Sequence, residues 1–397
     1  MVIDMPQLCE SQSCTGCSAC ANACLKGCIH MNPDPEGFLR PEIQESACIH
    51  CGLCEKSCPV LHTVGQWGPE PAKVKAFCVH LQDEAVRFAS TSGGVFTALC
   101  DWLFRHDGIV FGASFDTSFQ VVHIRADGMD AVSKLRTAKY AQSRIGDCFQ
   151  EIRALLNQGR YILFSGTPCQ IAGLTAYLGR EYEKLLLVDV ICHGVPSPTV
   201  WQEYIRHRSQ EDAQGAKPIA VNLRSKITGW PNYSVHFVYE NGVDYSAPNS
   251  ADPFMRAFVN NLCLRPSCYD CLFKGITRAS DFTLGDYWGV WGQVPAFDDG
   301  KGTSLVMVNN EKAMSVWNEV CQLFRYQQVD AASSLADNPS ALYSPEEPSC
   351  REYFMGNYSN QDFGNLVNSL CPAITPCKRP AWKRFLNLLY RKIHKPE

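Results

Sequence analysis

The sequence predicts an α/β protein in two parts, a small α+β module built on cysteines followed by a larger mixed α/β domain. Eight of the 22 cysteines fall in two short, evenly spaced runs between Cys14 and Cys58. From Lys73 onward, apolar strand-like segments alternate with segments of helical periodicity, the pattern of an α/β core. The chain has 397 residues, 46% of them hydrophobic and 19% charged, which suffices for a sizeable core and about two or three domains.

The cysteines carry the first chemistry. Cys14, Cys17, Cys20 and Cys24 read C-x2-C-x2-C-x3-C, and Cys48, Cys51, Cys54 and Cys58 repeat the spacing with Pro59 following. This doubled run is the pattern of bacterial two-cluster ferredoxins, in which the fourth cysteine of each run reaches the other cluster. One 4Fe–4S cluster is therefore expected on Cys14, Cys17, Cys20 and Cys58, and a second on Cys48, Cys51, Cys54 and Cys24. Leu25 stands where the pattern has proline, which loosens the turn without removing a ligand. Cys9 and Cys28 lie outside the pattern and read as spare thiols. Zinc is the competing reading, but zinc sites usually draw on two separated pairs rather than two unbroken quartets.

Composition excludes several classes. A net charge of −4 gives no basic field for nucleic acid. No apolar run approaches the length of a membrane span, and Met1–Glu10 lacks the basic and apolar regions of a secretory signal. Clustered cysteines without such a signal point to metal ligation in a reducing compartment, hence the cytoplasm.

Beyond the module, His62–Pro71 reads as a linker rich in Gly and Pro. Strands are expected at Lys73–His80, Ile109–Phe115, Tyr161–Phe164 and Leu185–Ile191, with Val121–Arg125 pairing as a hairpin. Helices are expected at Gly94–Phe104, Asp147–Gln158, Cys169–Leu178 and Pro198–Arg208. Val221–Tyr239 reads as antiparallel strands added to the same sheet, and the last stretch is weakly periodic. The basic tail Lys378–Lys395 predicts a helix from Pro380 that docks on the domain, with contact to an anionic membrane surface as the alternative.

Four further motifs sit where a strand hands over to a loop or helix, the usual ligand edge of an α/β sheet. Ser90-Thr91-Ser92-Gly93-Gly94 opens a helix and reads as a phosphate cradle or a simple helix cap. Gly166–Gln170 places Cys169 at a helix N-terminus, a position that favours thiolate. Cys192–Ser197 follows an apolar strand, and Cys268 and Cys271 form a C-x2-C pair. Cys169, Cys192, Cys268 and Cys271 could together hold a third 4Fe–4S cluster. Alternatively, Cys169 is a nucleophile or redox thiol, the Cys268/Cys271 pair is a zinc half-site or dithiol, or Cys263 replaces one ligand.

Together these motifs resemble the coenzyme F420 hydrogenase/dehydrogenase beta subunit family, fused to an N-terminal two-cluster ferredoxin. The carrying residues are Thr91–Gly94, Gly166–Gln170, Cys192–Ser197, Cys268–Cys271, Gly285–Gly289, and Lys139, Tyr140, Gln142 and Ser143. The resemblance spans about Lys73 to Val308 and implies an FAD- and 4Fe–4S-containing domain. Carried onto this chain, Thr91, Ser92, Gly93 and Gly94 would hold FAD phosphates. Lys139, Tyr140, Gln142 and Ser143 would lie near the flavin, and Cys169, Cys192, Cys268 and Cys271 would hold the inner cluster. His193 and Asp286 are candidate proton carriers, each also a common structural residue at a turn.

The expected division is then 1–65 for the ferredoxin-type module, 73–150 for the FAD-binding region, 151–325 for the region with the third cluster, and 326–397 for a C-terminal extension. The expected function is an iron–sulfur flavoprotein oxidoreductase. It would relay electrons between a ferredoxin-like protein and, through clusters and FAD, an organic acceptor such as coenzyme F420 or another small molecule, in either direction. The alternatives are an electron-transfer subunit serving a separate enzyme, or a redox sensor. Assembly into an oligomer is compatible with either.

Overall fold

A computed structural model of the chain describes residues 5–62 and 73–371. The linker beyond His62 and the basic tail both lie outside the described residues. The N-terminal module contains short helices at Ala19–Ala23 and Leu53–Lys56, and an antiparallel hairpin of β1 (Ile29–Pro33) and β2 (Leu39–Ile43). The larger part contributes β3 (Lys75–Leu81), β4 (Ile109–Phe115), β5 (Val121–Ala126), β6 (Ile162–Gly166) and β7 (Leu185–Val190). It continues with β8 (Pro218–Ser225), β9 (Ser234–Tyr239), β10 (Asp244–Pro248), β11 (Phe282–Asp286), β12 (Ser304–Val308) and β13 (Phe324–Val329).

Eight of these strands form one mixed sheet in the order β13-β3-β12-β11-β7-β6-β4-β5. Its centre, β4, β6, β7 and β11, is parallel, and the flanking strands pair antiparallel. Both faces of the centre are covered, so its strands are continuous apolar runs rather than alternating ones. Ile162, Leu163 and Phe164 in β6 and Leu185–Val188 in β7 are all buried. On one face Leu99, Leu103 and Trp317 pack on Leu163 and Val188; on the other Phe149, Ile152, Ile171 and Leu174 pack on Phe111 and Phe164.

Helix starts follow local chemistry. Pro168 opens Pro168–Leu178, with the Gln170 side chain accepting from the Thr167 N–H at 3.0 Å. Ser197 accepts from the N–H groups of Thr199 and Val200 to start Pro198–Ala213. Val95–Arg105 begins differently from a serine cap: Gly94 precedes it in the left-handed region at φ 90°, with no side-chain cap.

The sheet corrects one expectation. Instead of extending it, β8, β9 and β10 make a separate three-stranded antiparallel sheet. The reason is that Val235, Phe237 and Tyr239 have their own apolar partners in Trp201, Tyr204, Phe254 and Met255. The weakly periodic C-terminal stretch also supplies helices, Arg351–Asn357 and Phe363–Leu370, whose Phe354, Phe363 and Val367 join that second core. Among the described residues no helix is long and apolar enough to cross a membrane.

The cysteine module is built into the larger part. Cys17, Ala19 and Ala23 join the core that contains Ile171 and Leu174. Asn22 donates to the Gly146 carbonyl at 2.9 Å, and Arg351 forms a two-pronged ion pair with Glu36. One tight approach is at Gly173, where a Cβ would lie 2.9 Å from both Cβ and Sγ of Cys17. Gly173→Ala adds about 1 kcal/mol of helix propensity but forces overpacking that costs about 1–3 kcal/mol. The expected outcome is a lower thermal midpoint, read by melting. An unchanged midpoint would show that the helix yields without cost.

Candidate functional site

The fold collects the cysteines into three separate cavities. Cys14, Cys17, Cys20 and Cys58 line one, together with Cys9. Cys24, Cys48, Cys51 and Cys54 line a second, together with Cys28. Each thus joins three cysteines of one run to the last cysteine of the other, and adds one thiol that the spacing sets aside. Cys9 hydrogen-bonds to Cys14 and Cys58, drawing Cys14 down to about 5 and Cys58 down to about 6. Arg265 and Arg40 assist at Cys14. In the second cavity, Cys28 Sγ lies 3.3 Å from Cys24 Sγ.

The third cavity lies at the carboxyl edge of the sheet. Cys169 stands just past β6, Cys192 just past β7, and Cys268 and Cys271 on the loop before β11; all four line it. Chain crossovers bring these positions together from distant parts of the sequence. Burial pushes the thiols of Cys192 and Cys268 up to about 12 and also raises Cys169, so the helix N-terminus does not by itself make Cys169 a thiolate. Buried thiols of this kind ionise on binding metal, which takes the place of the proton. Four sulfurs converging on one enclosed space fit a 4Fe–4S cluster. Cys263 is elsewhere, fully buried among Phe254, Leu262 and Leu264.

The first and third cavities share a wall. Thr15 lines both. Gln142 donates to the Thr15 carbonyl at 2.9 Å and accepts from Arg265 at 2.7 Å. Arg265 in turn donates to the carbonyls of Cys14 and Leu39. On the far side of the third cavity, Lys274 donates to the carbonyls of Cys192 and Ser340.

The remaining motif residues form a lane leading away from the third cavity. His193, which lines that cavity, contacts the Phe258 ring edge-on at 5.1 Å, and Phe258 meets Tyr140 at 4.8 Å. Beyond Tyr140, Arg224 pairs with Asp286 at 2.7 Å and lies 3.9 Å over the Tyr233 ring. Lys226 then donates to the carbonyls of Arg87, Ser92 and Lys301.

Several residues in this lane are already engaged. Ser92 donates to the Thr303 carbonyl, and the Gly93 N–H donates to Ser304. A Cβ on Gly93 would lie 2.4 Å from the Val79 carbonyl, so strand packing already demands glycine there. Ser143 accepts from Gln170. His193 donates Nε2–H to Asn261 and accepts at Nδ1 from Ser340, and burial lowers its basicity. Asp286 is held by Arg224 and Trp230.

A flavin fits this lane on one chemical ground: half-buried Lys139 and buried Lys226 form no ion pair among the described residues. Lys139 donates only to the carbonyls of Arg136 and Thr137, and Lys226 only to carbonyls, and burial lowers both amines to about 7. An anionic phosphate or flavin ring would restore their charge. Arg265, Lys274, Arg224 and Lys226 are absent from the sequence-based site. The signal for Arg265 was its place three residues before Cys268; nothing local marks the others.

Residues 159–331 match the family model that describes the C terminus of the coenzyme F420 hydrogenase/dehydrogenase beta subunit, and residues 13–61 match the 4Fe-4S dicluster domain. No curated protein matches the chain. Among solved structures, it is similar to a chain of the F420-reducing nickel–iron hydrogenase complex from Methanosarcina barkeri. The two are 16% identical over 70% of this chain and 91% of that one, with a TM-score of 0.44.

The Lys139 amine, on a half-buried side chain, gives a pH dependence. The unfolded chain binds its proton up to the ordinary value of 10.5, and the folded chain only up to about 7. Between those limits the unfolded state holds more protons, so this group makes stability rise with pH. Without bound cofactor, Lys139→Met is expected to remove that rise, as read by urea unfolding at about pH 6 and about pH 9. Parallel pH profiles for the two chains would refute the assignment.

Proposed function

We propose that this chain, a 4Fe-4S dicluster domain joined to a coenzyme F420 hydrogenase/dehydrogenase beta-subunit domain, is an iron–sulfur flavin-dependent oxidoreductase. It exchanges electrons with a redox protein at its N-terminal module and serves a small organic acceptor, coenzyme F420 or another, over the lane at the sheet edge. The observation that carries this reading is the set of three thiol-lined cavities, two of which share Thr15 as a wall.

When bound, clusters supply single-electron steps, and a flavin supplies the conversion to two-electron hydride chemistry. The chain's own residues hold and insulate. Cys14, Cys17, Cys20 and Cys58 would bind one cluster, and Cys24, Cys48, Cys51 and Cys54 the second. Cys169, Cys192, Cys268 and Cys271 would bind the third. Thr91–Gly94, Lys139, Tyr140 and Lys226 would bind the flavin, with Gln142 and Ser143 fixing the loop that carries Lys139. Arg265 and Lys274 set positive charge beside the inner site. Leu25 and Ile49, 69% and 51% exposed beside the second cavity, offer an apolar rim for a protein partner.

Anaerobic purification with iron, sulfide and flavin quantified tests the reading. About twelve irons per chain, from three four-iron clusters, and one FAD are expected. Cys192→Ala is expected to remove about one third of the iron, since one cluster of three loses a ligand. Zinc in place of iron, or full iron without flavin, would defeat it; the latter would favour a pure electron-transfer subunit. A yellow-brown protein that reduces no small acceptor but does reduce a partner protein would also favour that subunit role.

A further inference from the structure

We propose that Arg265 is the shared counter-cation of the Cys14/Cys17/Cys20/Cys58 site and the Cys169/Cys192/Cys268/Cys271 site, raising the reduction potential of both and leaving the Cys24/Cys48/Cys51/Cys54 site untouched. This rests on the three-cluster reading above.

Arg265 has no exposed surface and is among the largest fully buried side chains. Its Nε donates to the Cys14 carbonyl at 2.6 Å, Nη1 to Gln142 Oε1 at 2.7 Å and Nη2 to the Leu39 carbonyl at 2.9 Å. All three acceptors are neutral, and it takes part in no ion pair among the described residues. A buried charge without a counter-ion is strongly unfavourable, so the fold requires negative charge nearby. The candidates are the sulfurs on either side. Cys14, whose carbonyl Arg265 holds, lines one cavity, and Arg265 itself lines the other beside Cys169 and Cys268. The opposing neighbour is Arg40, itself paired with Asp34 at 2.8 Å.

Space is arranged around this cation. Gly16 has φ 67°, and a Cβ there would lie 2.7 Å from Arg265 Nη1 and 2.5 Å from Gln142 Nε2. Phe38, fully buried, has its ring 5.4 Å from the guanidinium carbon, which keeps water out of one side. In such a dry setting charge interactions are strong. A four-thiolate cluster is anionic and becomes more so on reduction, so a fixed cation favours the reduced form and raises the potential. Lys274 lines only the inner cavity, and its influence is confined there.

The experiment is a redox titration followed by electron paramagnetic resonance on the full chain, with iron and sulfide counted in each sample. Arg265→Gln removes the charge and is expected to shift two midpoints negative and leave the third in place. Lys274→Met is expected to shift only one. Because Arg265→Gln also loses hydrogen bonds and the module can fail to load, Gln142→Glu is the second variant. It keeps an acceptor on Nη1, gives up only the donation to the Thr15 carbonyl, neutralises the cation in place, and is expected to lower the same two midpoints. Unmoved midpoints in a fully loaded variant, or an equal shift of all three, would overturn the proposal. Iron for only two clusters in the unaltered chain would instead defeat the three-cluster reading.

Discussion

Arg265 reaches across from the larger part of the molecule to three backbone and side-chain oxygens, two of them in the cysteine module, and the position of everything else near the centre follows from that reach. It links the Cys14 and Leu39 carbonyls to Gln142, and Gln142 links back to Thr15. The module cannot slide without stranding a buried charge. Backbone carbonyls and one carboxamide orient the cation without neutralising it, which leaves its field available to the thiol-lined cavities on both sides. The absence of a side chain at Gly173 then lets Cys17 come into direct contact with the helix that begins at Cys169's turn.

The sheet supplies the other half of the arrangement. Parallel β6 and β7 end side by side, in register from Ile162/Leu185 to Gly166/Asp189. Their following loops therefore deliver Cys169 and Cys192 to one place, and the antiparallel bridge between Pro196 and Leu264, with the Arg265 N–H donating to the Val195 carbonyl, brings the Cys268/Cys271 loop alongside the Cys192 loop. Long-range pairing thus does for the inner cavity what short spacing does for the outer two. The same edge carries the aromatic and cationic lane from His193 through Tyr140 to Lys226.

How much of this was legible in the sequence depended on the range of the interaction. The doubled cysteine run was readable because its geometry is set within a few residues, and the apolar strands because both of their faces are covered. Ile109–Phe115 was placed to the residue. The separate sheet of β8, β9 and β10 was missed because a strand's pattern shows which face is buried, never against what. Cys9 and Cys28 were set aside because only folding carries them to the cavities. Lys274 and Lys226 were invisible for a related reason: a basic residue reads as surface until the fold shows its amine turned onto backbone carbonyls. The glycines of Ser92-Gly93-Gly94 looked like a phosphate cradle, and the structure adds a packing demand on the same positions.

The clamp also sets a schedule. Cys14 and the guanidinium that caps it are separated by 251 residues of chain. At ribosomal rates this corresponds to roughly 13–50 s of synthesis. Throughout that interval the nascent module stands without its cover, its thiols open to oxygen and to stray metals. Delivery of iron and sulfide to the growing chain, rather than to the finished protein, would shorten that exposure, and the two halves would then close over cargo already in place.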